Sequence, residues 1–167
     1  DFYAHQYKPL LTLLESPASG ILIADEVGLG KTIEAGIICT ELRAREEMRR
    51  LLIVCPAMLR DKWRDELLNR FGTESQMVDA ATLTSELQNT TAFGPTKAWI
   101  ASYQALRPPR GWKPGNTPAS KKPGTRHLLA DLLDSGADEE PLVDLVIFDE
   151  AHYMRNPDSA SYKLGQM

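Results

Sequence analysis

Cysteine is nearly missing from this chain: Cys39 and Cys55 are the only two in 167 residues. They do not form a C-x-x-C pair, which argues against both a metal site and a disulfide scaffold. They read as two small buried apolar residues in a reducing compartment. Long apolar runs are missing too. No stretch approaches the ~20 residues that cross a bilayer, so no membrane is expected. The opening DFYAHQYKPL lacks a basic head followed by an apolar stretch, so it is no signal peptide. It also lacks an initiator Met, and we expect a piece of a longer chain. A basic excess is absent as well, with a net charge of −4. What remains, 43% hydrophobic and 25% charged, is ordinary globular composition. The length suits one domain of about 100–200 residues, which buries roughly 70% of its unfolded surface.

Charge is unevenly spread. Arg107 to Arg126 holds six Lys or Arg and no acid, and His127 to Glu150 holds eight Asp or Glu and no Lys or Arg. This predicts a basic surface segment beside an acidic one. A solvated loop without a partner explains the basic stretch equally well.

Hydrophobic patterning predicts strands alternating with helices. GILIAD (20–25) and RLLIVCP (50–56) read as buried strands. So do SQMVDA (75–80), weakly, KAWIAS (97–102) and LVDLVIFDEAH (142–152), the strongest of the set. Residues 31–46 carry Ile33, Ile37, Ile38 and Leu42 at helical spacing. In MLRDKWRDELLNRF, Leu59, Trp63, Leu67 and Phe71 form one apolar stripe ended by Gly72, so Trp63 is expected in the core. Shorter helices are predicted at 82–89, at YQAL, at 126–134 and after Pro157, where the chain end cuts the last one off. Residues 107–125 hold five of the eleven prolines and three glycines and read as a loop, or as disorder. The alternation implies a parallel sheet covered on both faces. Such sheets bind ligands at the carboxyl ends of their strands.

Two charged motifs fall at strand ends. ADEVGLGKT (24–32) is close to the phosphate-loop formula G-x-x-x-x-G-K-[ST]. Gly30, Lys31 and Thr32 fit it, and Asp25 stands where the first glycine belongs. A glycine-containing turn into a helix points backbone N–H groups inward, and the helix N-terminus adds partial positive charge. Gly28 and Gly30 let the backbone approach a phosphate closely. Lys31 can reach the terminal phosphates, and the Thr32 hydroxyl can ligate Mg²⁺. The second motif, VIFDEAH, delivers Asp149 and Glu150 to a strand end. Asp149 suits Mg²⁺, a metal that prefers oxygen ligands. Glu150 suits the water that attacks the terminal phosphate. His152 is positioned to sense or relay the state of the site. Read without the motifs, the loop is a tight turn and the acids are merely solvated.

ADEVGLGKT, DEAH, LLIVCPAMLRDKW and ASYQAL together resemble motifs I, II, Ia and Ib of superfamily-two helicases, above all the Snf2-like group of ATP-driven DNA translocases. DEVGLGKTIEAG resembles the bacterial branch that includes an RNA-polymerase-associated recycling factor. The resemblance spans residues 1 to about 157, apart from 107–141, which match no motif and look like an insertion. It implies an α/β fold: a RecA-like parallel sheet sandwiched by helices, a P-loop NTPase that is the first lobe of a two-lobed motor. Residues 1–167 would be the ATP-binding lobe, with the second lobe outside this chain. It further implies ATP and Mg²⁺ as cofactors and hydrolysis to ADP and phosphate. The motor would move along double-stranded DNA without having to separate strands. RNA polymerase or another DNA-bound complex is the implied partner, in a bacterial, nucleoid-associated cytoplasmic setting.

The resemblance also implies roles for individual residues. Motif I of that group carries Asp at the position of Asp25; our own expectation is that Asp25 turns away from the phosphates and accepts hydrogen bonds from loop N–H groups or a basic side chain. Glu26, Val27, Gly28, Leu29, Gly30, Lys31 and Thr32 complete the nucleotide loop, and Gly28 to Thr32 form the phosphate cradle. Gln6 would read adenine, since an amide offers both a donor and an acceptor. Pro56, Ala57, Lys62, Ser102 and Tyr103 fall in segments that touch the DNA backbone, contacts that fix position without reading sequence. Apart from the resemblance, the six basic residues of 107–126 could each neutralise a phosphate and give salt-dependent binding. Arginine fingers belong to the second lobe, and in related phosphoryl transfer they contribute about 10³–10⁵-fold. This segment alone is therefore expected to bind ATP weakly and turn it over poorly. Other readings are an RNA helicase or restriction-type motor, and a nucleotide-binding scaffold module without turnover.

Overall fold

The computed structural model describes residues 3–17, 20–24, 30–45, 48–89, 94–115, 123–135 and 141–167. Strands β1 (Arg50–Cys55), β2 (Gln76–Met77), β3 (Lys97–Ser102) and β4 (Leu145–Phe148) form one sheet in the order β2-β3-β1-β4. Every pairing is parallel. The continuous apolar run of β1 explains its central place, because a strand covered on both faces can spare no side for water. All six of its residues are buried.

Alternation along β1 and β3 divides the core into two layers. Leu51, Ile53, Cys55, Ala98 and Ile100 pack with Ala35, Cys39, Trp63 and Leu67. Those last four come from α2 (Lys31–Ala44) and α3 (Arg60–Phe71). Leu52, Val54, Trp99 and Ala101 point the other way. They meet Leu83, Leu87, Leu106, Leu129 and Leu164 from α4 (Ala80–Asn89), α5 (Tyr103–Leu106), α6 (Thr125–Ser135) and α7 (Ala160–Leu164). This is the sandwiched parallel sheet expected of a RecA-like α/β fold. At 1.5 Å per residue α2 is about 21 Å long, close to the ~20 Å of β1. In the chain α2 precedes β1 and packs with it in the first of these layers.

Several expectations are corrected. Residues 20–24 are not a strand: they make no ladder to the sheet. Ile21 and Ile23 instead dock by their side chains on Leu10 of α1 (Lys8–Glu15), Ile37 and Ile38, while Leu22 is 79% exposed. The expected burial is also only partial: Ile21 and Ile23 are half-buried and the other described residues of the run are exposed. The run at 142–152 contributes only four strand residues. It lies at the sheet edge with Val146 exposed, and Ala151–Met154 turn into a 3-10 helix. The strand at 75–80 shrinks to two residues because α4 begins at Ala80. The last helix is not cut off by the chain end. Ser159 caps its start and it stops at Leu164.

Within 107–141, the described residues 107–115 and 123–135 pack onto the fold. Trp112 is buried, and its indole donates to Asp131 Oδ1 on α6 at 2.8 Å. The fully buried Leu129 fixes α6 in the second core layer. No helix among the described residues is long and apolar enough to cross a membrane.

Candidate nucleotide and nucleic-acid site

The first group of candidate residues lies at the start of α2. Gly30 caps the helix with φ +94°, a left-handed conformation that costs glycine little. Its carbonyl accepts the amides of Ile33 and Glu34 at 2.7 and 3.0 Å. Lys31 and Thr32 occupy the first turn, half-buried. Asp25, Glu26, Val27, Gly28 and Leu29 lie outside the described residues.

Gln6 is buried and lies against this turn. Its Nε2 would sit 2.7 Å from a Cβ added at Gly30. Its Oε1 accepts the Tyr3 amide at 2.9 Å. The amide is therefore anchored beside Gly30, its oxygen already accepting one hydrogen bond.

The second group lies at the end of β4. Asp149 continues the β4 ladder, donating its amide to the Val54 carbonyl at 2.9 Å. Its Oδ2 accepts Trp63 Nε1 at 2.8 Å and its Oδ1 accepts the Glu150 amide at 2.9 Å. Its carbonyl accepts the Tyr103 hydroxyl at 2.9 Å. Each carboxylate oxygen keeps lone-pair capacity beyond its one hydrogen bond. Hard oxygens of this kind, with the Thr32 hydroxyl, are the donor chemistry that fits Mg²⁺.

Glu150 has φ +54°, the only positive φ outside glycine among the described residues. Such conformations cost of order 1–3 kcal/mol and cluster at functional sites. Its exposed carboxylate reaches His152 Nδ1 at 3.0 Å, so these two expected residues are brought together. The His152 ring lies 4.7 Å from that of Tyr153, which stacks on Tyr103 at 5.5 Å.

Burial around Asp149 tunes its neighbours. Desolvation, then the Asp149 charge, raises the Tyr103 hydroxyl well above its ordinary value and holds it protonated as a donor. Desolvation pushes the Cys55 thiol up to about 12, with the Asp149 charge adding to it and Arg60 opposing it.

The five expected nucleic-acid residues divide. Ala57 and Lys62 are exposed, beside the 85%-exposed Met58. Pro56, Ser102 and Tyr103 are buried. Ser102 Oγ caps α5 by accepting the Ala105 amide at 3.2 Å, and the Tyr103 hydroxyl is held by Asp149. Their polar groups are thus turned to the chain itself. The apolar stripe correctly made Trp63 a core residue, yet it concealed the contact with Asp149. The cue available was the indole itself, since a buried indole N–H usually finds an acceptor.

Comparison with known proteins agrees with this architecture. The model of the SNF2-related domain matches residues 5–166. An RNA polymerase-associated protein RapA from Yersinia enterocolitica is 30% identical over 151 residues, covering 90% of this chain and 13% of that protein. Proteins of the same name from Histophilus somni and Pasteurella multocida are 45% and 40% identical over 62 and 75 residues. These cover 37% and 45% of this chain, and 6% and 8% of those proteins. The chain thus spans a small part of the relatives it matches. With the sandwiched parallel sheet, the glycine-capped α2 and the acid pair at the end of β4 described, the chain belongs to the SNF2-related domain family.

Proposed function

We propose that this chain is the ATP-binding lobe of a DNA-dependent ATPase that translocates on double-stranded DNA, hydrolysing ATP to ADP and phosphate. The observation that carries this reading is Asp149, held through its amide, its carbonyl and both carboxylate oxygens at the carboxyl edge of a parallel sheet. Lys31, at the start of α2, would meet the terminal phosphates, and the loop from Asp25 to Thr32 would wrap them. Gln6, anchored beside Gly30, would face the adenine. Thr32 and Asp149 would hold Mg²⁺, which when bound neutralises charge on the phosphates. Glu150, left-handed and exposed, would orient the attacking water, and His152 would follow its state through the contact between them. Ala57 and Lys62 offer the exposed surface for a DNA backbone. Buried Pro56, Ser102 and Tyr103 would support that surface from beneath.

RNA polymerase-associated relatives make a DNA-bound transcription complex the partner we favour, with a bacterial cytoplasmic, nucleoid-associated location. The decisive experiment measures ATP turnover by the full-length protein with duplex DNA, single strands and RNA. Stimulation by duplex DNA, abolished by Glu150→Gln with ATP binding spared, is expected. No turnover with any nucleic acid would favour a scaffold module, and RNA-only stimulation a helicase of the RNA-directed kind.

A further inference from the structure

Trp63 is buried on α3 at 3% exposure, between the sheet and α2. Its indole makes one directional contact, the 2.8 Å hydrogen bond to Asp149 Oδ2. The Glu150 amide holds the other carboxylate oxygen. Two donors on two oxygens fix the plane of the carboxylate, which would otherwise rotate broadly about its terminal torsion. A buried indole N–H left without an acceptor is costly, so Trp63 is itself held to Asp149.

The donor comes from a different element than the acid. Trp63 follows Lys62, which is exposed on the outer side of the same helix. A shift of α3 therefore reaches Asp149 through a single hydrogen bond.

We propose that Trp63 is a positioning residue for Asp149, its indole N–H holding the carboxylate in the orientation that receives the metal of a metal–nucleotide. This rests on the nucleotide reading above. Trp63 touches no substrate. It acts through Asp149 and ties α3, the helix with the exposed lysine, to the metal-binding acid. Partners that orient a metal ligand typically matter by about 10–100-fold in metal affinity.

The test uses Trp63→Phe in the full-length protein, which keeps an aromatic ring and removes the N–H. A fluorescent ADP analogue is titrated in EDTA and across a Mg²⁺ series. In EDTA the affinity should stay within about twofold of the parent. The gain in affinity on adding Mg²⁺ should fall about 10-fold, with half-saturating Mg²⁺ raised to match. Benzothienylalanine at position 63 keeps the bicyclic shape and replaces N–H with sulfur. It should reproduce the effect even where Phe unsettles the fold. An unchanged Mg²⁺ gain in either variant would overturn the proposal. So would an equal loss of affinity with and without Mg²⁺, which marks a merely structural residue. A parent protein that shows no Mg²⁺-dependent nucleotide binding would instead sink the nucleotide reading.

Discussion

Asp144 offers a quantitative test of how β1 and β4 are joined. Its Oδ2 accepts the amides of Arg49 and Arg50 at 2.9 and 2.7 Å and Arg50 Nε at 3.3 Å. Its Oδ1 accepts Arg50 Nη2 at 2.7 Å. The Arg50 side chain is only 7% exposed and that of Asp144 21%. Asp144→Ala would strand a buried guanidinium and two amides. Removing one partner of a buried pair costs about 3–5 kcal/mol, and the partial exposure of Asp144 points to the lower end, about 3 kcal/mol. At about 2–4 °C per kcal/mol for a chain of this size, the melting temperature should fall by about 6–12 °C.

The effect should depend on pH. Burial alone would raise the Asp144 carboxyl, but the Arg50 side-chain bonds, the two amides and the Arg50 charge outweigh it and lower it overall. A carboxyl lowered by folding stabilises above its unfolded value of about 3.9. That stability is lost as pH falls through the folded value. Urea unfolding of parent and variant from pH 7 to pH 3 should therefore show a constant gap above pH ~5 that narrows as pH falls below ~4. A loss under about 1 kcal/mol at pH 7, or an equal gap at pH 3, would refute the reasoning.

Gly36 on α2 faces the Phe71 ring of α3, and an added Cβ would lie 2.1 Å from Cε2. Gly36→Ala gains up to about 1 kcal/mol of helix propensity but incurs an overpacking cost of about 1–3 kcal/mol. A lower urea midpoint is expected, and an equal or higher one would contradict the contact. Burial pushes Cys39 up to about 12, as it does Cys55, so both thiols should resist alkylation at pH 8 until the chain unfolds. Rapid labelling of the native protein at either position would contradict their burial.

Much of the fold was legible because its signals are local. The β1 run, the Ile33–Leu42 periodicity and the Trp63 stripe each state which residues avoid water. The positive φ of Gly30 followed from its place between a loop and a helix. Pairing was not legible in this way. GILIAD read as a buried strand and LVDLVIFDEAH as the strongest of all, yet only Ile21 and Ile23 of the first pack, by side chains alone, and the second supplies a short edge strand. Hydrophobicity carries no record of which backbone a segment will meet. Trp112 was hidden for a related reason: a proline-rich stretch looks unpackable until Asp131, on another element, accepts its indole proton.

The sequence by itself determined the chemical inventory and its order along the chain: a glycine-flanked lysine before a helix, an acid pair after an apolar run, and a covered parallel sheet to carry them. Only the tertiary structure decided how Asp149 is held and which residues of the expected nucleic-acid segments face water. Those properties depend on donors and acceptors from β1, α3 and α5 meeting at one point. Residues distant in sequence meet there only once packing has fixed the elements that carry them.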